Sequence, residues 1–269
     1  MYNEKKYLTA IPYGGLCNRL LFLNSICEYA QNANLRVNVI WFKNNEIYAT
    51  LDELFEYNAD KFTIINIDAH KISGCVIQIL YKILRKMKMF MVDQLTYYDS
   101  NSKEYLRSEF IKSIKEKQII TGCQNVYDEY SKNLFTPKDE YYRQSGKIID
   151  DSDTSIVSMH IRRTDNADSI KVSSDDKIIK AIDLEISNNN KVFIACDDLI
   201  FKKYLIDRHP GKIIYQNVTT TDRNSEEAIK QSLVDLICIS KGNKIYGSYN
   251  STFSSFAAFI AGKNLYIIK

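Results

Sequence analysis

The feature that most narrows the fold is a regular alternation through the second half of the chain. Apolar strand-like runs over 155–161, 191–196, 212–215, 244–246 and 265–268 are separated by helix-like segments over 175–188, 199–208, 225–240 and 251–261, joined by short turns. Strands that alternate with helices in this way form a parallel sheet wound with helices, so the expected class is α/β.

The first half opens in the same style. Residues 7–12 read as a strand, Tyr13-Gly14-Gly15 as a tight turn, 16–34 as an amphipathic helix and 35–41 as the next strand. Thr50 and Glu53 form a capping box ahead of Leu54 and Phe55, which announces a second helix. Between 62 and 142 the pattern weakens. Within that stretch, 76–92 combines Ile77, Leu80, Leu84 and Met91 with Lys82, Arg85, Lys86 and Lys88. It would lie on an anionic membrane surface or against an acidic or lipid-linked acceptor, or else pack its apolar stripe into the core with a basic face in water. A broad apolar stripe is what any surface helix shows, so core packing is the expectation. The acidic, polar stretch 146–153 marks a boundary, and a length of 269 residues suits two domains, 1–150 and 151–269.

Composition excludes several classes. With 45% hydrophobic and 26% charged residues, and only 9 Gly and 3 Pro, the chain is a globular protein rather than a linker-rich or collagen-like one. A net charge of +3 is too small a bias to argue for nucleic acid as a partner. The six cysteines, at 17, 27, 75, 123, 196 and 238, form no C-x-x-C pair and have no His at ligand spacing; buried free thiols are expected, and no metal site. Met1 to Lys6 are polar and run straight into a strand, so neither a signal peptide nor a membrane span is read there. A cytoplasmic protein is expected, peripheral to the inner face of a membrane if 76–92 docks there.

The chemistry concentrates at strand ends. Ser158 to Asp165 runs from an apolar segment onto His160, Arg162, Arg163 and Asp165. Arg forks pair bidentately with phosphate, and parallel-sheet proteins bind ligands at the carboxyl ends of their strands. Adjacent arginines on a strand point to opposite faces, so one of the two could be structural. Gly14-Gly15 would let backbone N–H groups and a helix end approach a phosphate, and Asn18 and Arg19 lie one turn into that helix. Asp197 and Asp198 close another strand; Asp198 suits a helix cap, which frees Asp197 for hydroxyls of a sugar or ribose. Asp235 is a carboxylate among apolar neighbours, able to read the N1–H and N2–H edge of guanine or to form an internal ion pair. The segment Gly247 to Ser255, with Ser248, Ser251 and Thr252, is rich in hydroxyls and forms a second phosphate cradle. Asp151-Ser152-Asp153 has the D-x-D pattern of metal-dependent sugar transfer, but it precedes its strand, the wrong end for a ligand.

Together these motifs resemble the fucosyltransferase superfamily. A Gly-Gly turn, His-x-Arg-Arg-x-Asp, Ala-x-Asp-Asp, Arg223-Asn224-Ser225 before Leu-x-Asp-Leu, and Ser-x-x-Ser-x-Phe-Ser occur in the order of its α1,6-, nodulation-type and protein O-fucosyltransferase branches and their bacterial relatives. The resemblance covers the second half and about the first 40 residues of the first. It implies a GT-B-like fold, two Rossmann-like domains with parallel sheets facing across a cleft, the second holding GDP-fucose and the first the acceptor side. It implies inverting, metal-independent transfer with no cofactor, to a glycan or lipid-linked oligosaccharide such as polysaccharide biosynthesis uses. Carried over by position, His160 and Arg162 contact the diphosphate with Arg163 in support, Asp235 holds guanine, Ser251 the β-phosphate and Asp197 a donor hydroxyl, while Gly14-Gly15 approaches from the other domain. Asp165 and Asp168 are the candidates for taking the acceptor proton. Cys17 stands where relatives often have glycine, and Asn166 and Ile170 follow the Arg pair where the α1,6 branch has a lysine and a glutamate. Other outcomes open to such a chain are transfer from a different GDP-sugar, a nucleotide-sugar-binding module without catalysis, or a phosphohydrolase using His160 with a second His, His70 or His209.

Overall fold

The computed structural model describes residues 7–87, 91–99, 104–105, 107–125 and 134–269. Met1 to Lys6, and Lys88 within the basic stretch, lie outside the described residues. The chain divides into two units, Met1–Thr136 and Pro137–Lys269.

In the first unit the order is β1 (Tyr7–Pro12), α1 (Leu16–Asn32), β2 (Arg36–Lys43), α2 (Leu51–Leu54), β3 (Phe55–Tyr57), β4 (Phe62–Asp68), α3 (Ile72–Met87), β5 (Val92–Asp93), β6 (Tyr98–Asp99), β7 (Glu104–Tyr105), α4 (Arg107–Lys117), β8 (Ile119–Gly122) and β9 (Phe135–Pro137). The main sheet runs β4-β2-β1-β8-β5, and its paired strands are parallel. Its core includes Trp41, whose indole N–H donates to Ala49 O at 2.9 Å, and Phe22, Leu23 and Ile26 of α1, all buried. The capping box at Thr50 and Glu53 forms in both directions, yet the helix it starts is a single turn, because Phe55 leads directly into β3.

The second unit comprises α5 (Asp139–Gly146), β10 (Ile156–Ile161), α6 (Ala167–Val172), α7 (Asp175–Ser187), β11 (Lys191–Cys196), α8 (Leu199–Arg208), β12 (Ile213–Tyr215), α9 (Glu226–Lys241), β13 (Lys244–Ser248), α10 (Thr252–Ala261) and β14 (Leu265–Ile268). Its sheet is parallel with the order β12-β11-β10-β13-β14. Met159, Ile161, Ile178, Ile182, Val192 and Ile194 belong to one buried apolar cluster beneath α7.

The boundary falls at Thr136, ahead of the expected 150. Helix α5 belongs to the second unit: it packs on α9, and Tyr141 is buried. The acidic stretch read as the boundary is instead the entry to β10, where Asp150 and Asp153 accept from Ser152 and Ser155, and Lys191 and Lys241 pair with Asp153 and Asp151. Two thiols also depart from the expectation of burial, since Cys75 is exposed and Cys123 only partly buried; all six cysteines are free.

Helix α3 corrects the reading of 76–92 as a core-packed helix. The side it turns to the sheet is marked by buried Gly74 and Tyr81 and anchored by polar groups: Tyr81 Oη lies 2.6 Å from Thr121 Oγ1, and Arg85 Nε donates to Asp93 Oδ2 at 2.6 Å. Leu84 and Met91 do pack with Tyr81 against Ile11 and Phe42, as core packing requires, while Ile77, Leu80 and the stripe that continues through Ile79 and Ile83 face outward. Gly74 permits this docking, because a Cβ at this position would lie 1.9 Å from Asp68 O, a main-chain atom that cannot swing aside. Gly74→Ala should therefore push α3 off β4 and destabilise the first unit by about 1–3 kcal/mol, the cost of overpacking. Hydrogen-exchange mass spectrometry should show faster exchange in α3 and β4 and unchanged exchange in β10.

Candidate active site

β10 is the strand on either side of which the order reverses, with β11 on one flank and β13 on the other. Ligands of open α/β sheets bind at the carboxyl ends of strands at such a switch point. Here that point carries His160, Arg162 and Arg163 from the end of β10, and Ser248 and Ser251 from the end of β13.

Ser248 is fully buried and stitches the two strand ends together: its Oγ accepts from Arg162 N at 3.0 Å and reaches His160 O at 3.4 Å. His160 is buried with its Nδ1 3.0 Å from Ser251 Oγ and its ring stacked on Phe253 at 4.7 Å between centroids. Burial first, and then the charge of Arg162, push the imidazole down to about 3, so it is neutral at physiological pH. In the tautomer whose Nδ1 accepts from Ser251, Nε2 carries the proton and is a donor. Ser251 occupies the cap position of α10 but gives no side-chain cap, because its hydroxyl is turned to His160. The first-turn amides of α10, beginning at exposed Thr252, thus keep the positive helix end without a serine cap.

The two arginines, in the loop just past β10, divide between the interior and the rim. Arg163 is turned back into the protein: it donates to Ser173 O at 3.1 Å, pairs with Asp175, and lies over the Phe201 ring at 5.3 Å. Arg162 stays at the sheet edge between Asp165 and Asp197, with Nη1 3.2 Å from Asp197 Oδ2. Asp197 is more heavily engaged than a free sugar contact would be, since it also accepts from Arg163 N at 2.6 Å and from Thr164 Oγ1 at 2.8 Å. Its place is in shaping the arginine loop. Asp198 caps α8 through Ile200 N and Phe201 N, as its position suggested.

Beyond the loop, Asn166 caps the short helix α6 by accepting from Ser169 N. The sequence pattern did not reveal α6. It lifts Asp168 onto an exposed first turn, while Asp165 accepts from Arg162 and from Arg223 Nη2 at 3.0 Å. Arg223 was visible only as part of a motif.

Asp235 lies on α9, surrounded by protein but partly open to solvent. Burial raises its carboxyl to about 7 against the opposing pull of Lys202, and Lys202 is itself lowered by burial. Lys202 Nζ donates to Gln216 O at 2.7 Å. With the Gln216 amide oriented to satisfy its neighbours, its nitrogen donates to Asp235 Oδ1 at 2.8 Å and to Gln231 O at 3.0 Å. Gln216 directly follows β12 and Lys202 lies in the first turns of α8, so this carboxyl sits toward the carboxyl edge of the sheet. Neither Lys202 nor Gln216 carries a motif that would have announced it.

In the first unit, Gly14 has φ +82°, a left-handed conformation that glycine adopts without cost. Its N–H donates to Glu46 Oε2 at 3.0 Å. Gly15 stands at the cap of α1 with extended backbone. Arg19 is 0% exposed and spends its guanidinium on protein atoms, donating to Gly14 O at 2.9 Å, Phe42 O at 2.6 Å and Asn44 Oδ1 at 3.0 Å and pairing with Glu46. This corrects the reading of Arg19 as a ligand contact: it fastens the Gly14 turn to β2. Burial lowers it to about 10, still a cation at neutral pH. Asn18, one residue before it, is partly buried and its Oδ1 has no partner.

Among the described residues no group of three or more His, Cys, Asp or Glu is arranged to hold a metal ion. No family model matches this sequence, and no curated protein sequence does. Solved structures do match in fold. NodZ α-1,6-fucosyltransferase co-crystallized with GDP is 14% identical with a TM-score of 0.58, over 95% of this chain and 93% of that one. NodZ from Bradyrhizobium is 13% identical with a TM-score of 0.58, over 95% and 94%. POFUT1 in complex with GDP-fucose is 11% identical with a TM-score of 0.56, over 99% and 98%. The chain thus has a GT-B-like fold of two Rossmann-like units, similar to that of NodZ α-1,6-fucosyltransferase and of POFUT1.

Proposed function

We propose that this chain is an inverting fucosyltransferase that moves fucose from GDP-fucose to a hydroxyl of a glycan or lipid-linked oligosaccharide, without a metal cofactor. The observation that carries the reading is the pairing, along one sheet edge of the second unit, of an anion site and a largely enclosed carboxyl. The anion site comprises Arg162, the Nε2 side of His160 and the start of α10. The carboxyl is Asp235, whose acceptor oxygens suit the donor edge of guanine. The likeness in fold to proteins solved with GDP and GDP-fucose supports the same choice. In this reading the first unit carries the acceptor side.

Displacement at the anomeric carbon passes through an oxocarbenium-like state while negative charge builds on the leaving β-phosphate. Arg162 and the α10 amides meet that charge with donors already in place. Arg163, Asp197 and Ser248 hold the loop that aims Arg162. The acceptor hydroxyl loses its proton to Asp168; Asp165, the other candidate, is committed to two arginines. Arg162→Ala should cut turnover by about two to three orders of magnitude, and Arg162→Lys should restore little because the fork is lost. Asp168→Asn should abolish transfer and leave GDP affinity within a few-fold. Radiolabelled GDP-fucose with a panel of glycan acceptors measures both. A wild-type protein that binds GDP-fucose but neither transfers nor hydrolyses it would be a nucleotide-sugar-binding module.

Guanine selection is tested by calorimetry with GDP and ADP. Asp235→Asn presents an amide that opposes the donors of guanine, and should lose about ten- to a hundredfold in GDP affinity. Because the carboxyl titrates near 7 and only its ionised form accepts both bonds, GDP affinity should fall as pH drops from 8 to 6, by up to about tenfold per unit. The pH dependence should be lost in Asp235→Asn. Equal binding of GDP and ADP by the wild type would overturn the guanine assignment.

A further inference from the structure

Helix α3 presents to solvent the side that an amphipathic helix normally buries. Ile72 is 88% exposed, and Val76, Ile79, Leu80, Ile83 and Met87 are each 50–60% exposed. Their spacing of four, three, one, three and four residues puts them on one stripe of a helix with 3.6 residues per turn. Lys82 and Lys86, both exposed, follow one flank of that stripe. Between Ala69 and Val92 the sequence has no Asp or Glu, while it has Lys71, Lys82, Arg85, Lys86 and Lys88. The opposite side of the helix is already committed through Tyr81 to Thr121 and through Arg85 to Asp93, so the stripe cannot be turned inward without breaking those bonds.

We propose that α3 is a membrane-docking helix that lies in the interface of an anionic bilayer, its aliphatic stripe among the acyl chains and its lysines among the lipid headgroups. A helix with apolar residues along one side and cations beside them binds in this way, with strength set by apolar area and by anionic lipid. At 16 residues α3 lies on a bilayer rather than crossing it, and no described helix is long and apolar enough to cross one. The charge pattern favours lipid over a second copy of the chain. A two-fold contact across the stripe would bring lysines toward lysines with no carboxylate on α3 to receive them. The stripe is made of Ile, Val, Leu and one Met, without the Tyr, Trp or free Arg that anchor protein interfaces.

The test is flotation of the full chain with vesicles of phosphatidylcholine alone or with phosphatidylglycerol added, at low and high salt. The wild type should float with the phosphatidylglycerol vesicles, and less in high salt. Ile79→Glu/Ile83→Glu should lower that partitioning by about tenfold or more. Lys82→Gln/Lys86→Gln leaves the stripe intact, and should lose about five- to twentyfold on anionic vesicles while matching wild type on neutral ones. Circular dichroism checks folding, and the lysine pair decides the matter should the glutamate pair fail to fold. The proposal is overturned if wild type ignores anionic vesicles or if both pairs bind them like wild type. A wild-type dimer in sedimentation velocity that Ile79→Glu/Ile83→Glu makes monomeric, without vesicle binding, would assign the stripe to self-association instead.

Discussion

The carboxylate of Asp197 sets the geometry on which the candidate site depends. It stands just past β11 and reaches across to the loop that leaves β10, where it takes the N–H of Arg163, the hydroxyl of Thr164 and one arm of Arg162. Charge-assisted bonds to one ionised acceptor are stronger than neutral ones, and three of them converge on one turn. The turn is thereby fixed in a shape that sends Arg163 inward to Ser173 and Asp175 and leaves Arg162 at the rim. Ser248 performs the same service from β13, through the N–H of Arg162. Two neighbouring strands therefore define where one guanidinium stands.

The second unit was legible in the sequence because its strands are short, apolar and regularly spaced, and because charged residues begin where β10 and β11 end. Asp198 as a cap, and a structural role for one of two adjacent arginines, follow from local rules and hold in the structure. What the sequence concealed depended on long-range pairing. Asp197 looked available because its partners lie more than thirty residues away. Helix α6 was hidden because six residues, preceded by Thr164 and Asp165, give no measurable period. The face of α3 was misjudged for a related reason: periodicity shows that a helix has an apolar side, while Gly74, Tyr81 and Arg85 decide which side meets the sheet.

The first unit illustrates how one buried cation can organise a glycine turn. Arg19 bridges the carbonyl of Gly14 and that of Phe42, and Glu46 closes the circuit by accepting from Gly14 N. Removing a buried charge from water is costly unless every donor finds an acceptor, and here two main-chain carbonyls, Gly14 O and Phe42 O, are joined by the Asn44 amide and the Glu46 carboxylate. In the sequence Arg19 stands out as a cation one turn into an otherwise apolar stretch of α1. That signal marks an unusual requirement, which ligand binding and loop fastening satisfy equally well until the coordinates separate them.

Arg162, lying between Asp165 and Asp197 with Arg223 on the far side of Asp165, belongs to a row of two cations and two anions that is close to electrically balanced. An anion that engages Arg162 must compete with carboxylates already in contact with it, so its net gain is the difference between two ion pairs rather than the whole of one. A stray singly charged ion has little to offer in that exchange. A polyanion that also reaches the helix end and carries its own recognition elements can displace Asp165, and in doing so would release Asp165 and Arg223 to take up new partners. If an anion binds at Arg162 as proposed, the balance of charge around this guanidinium would set a threshold that favours a polyanion over a small singly charged ion.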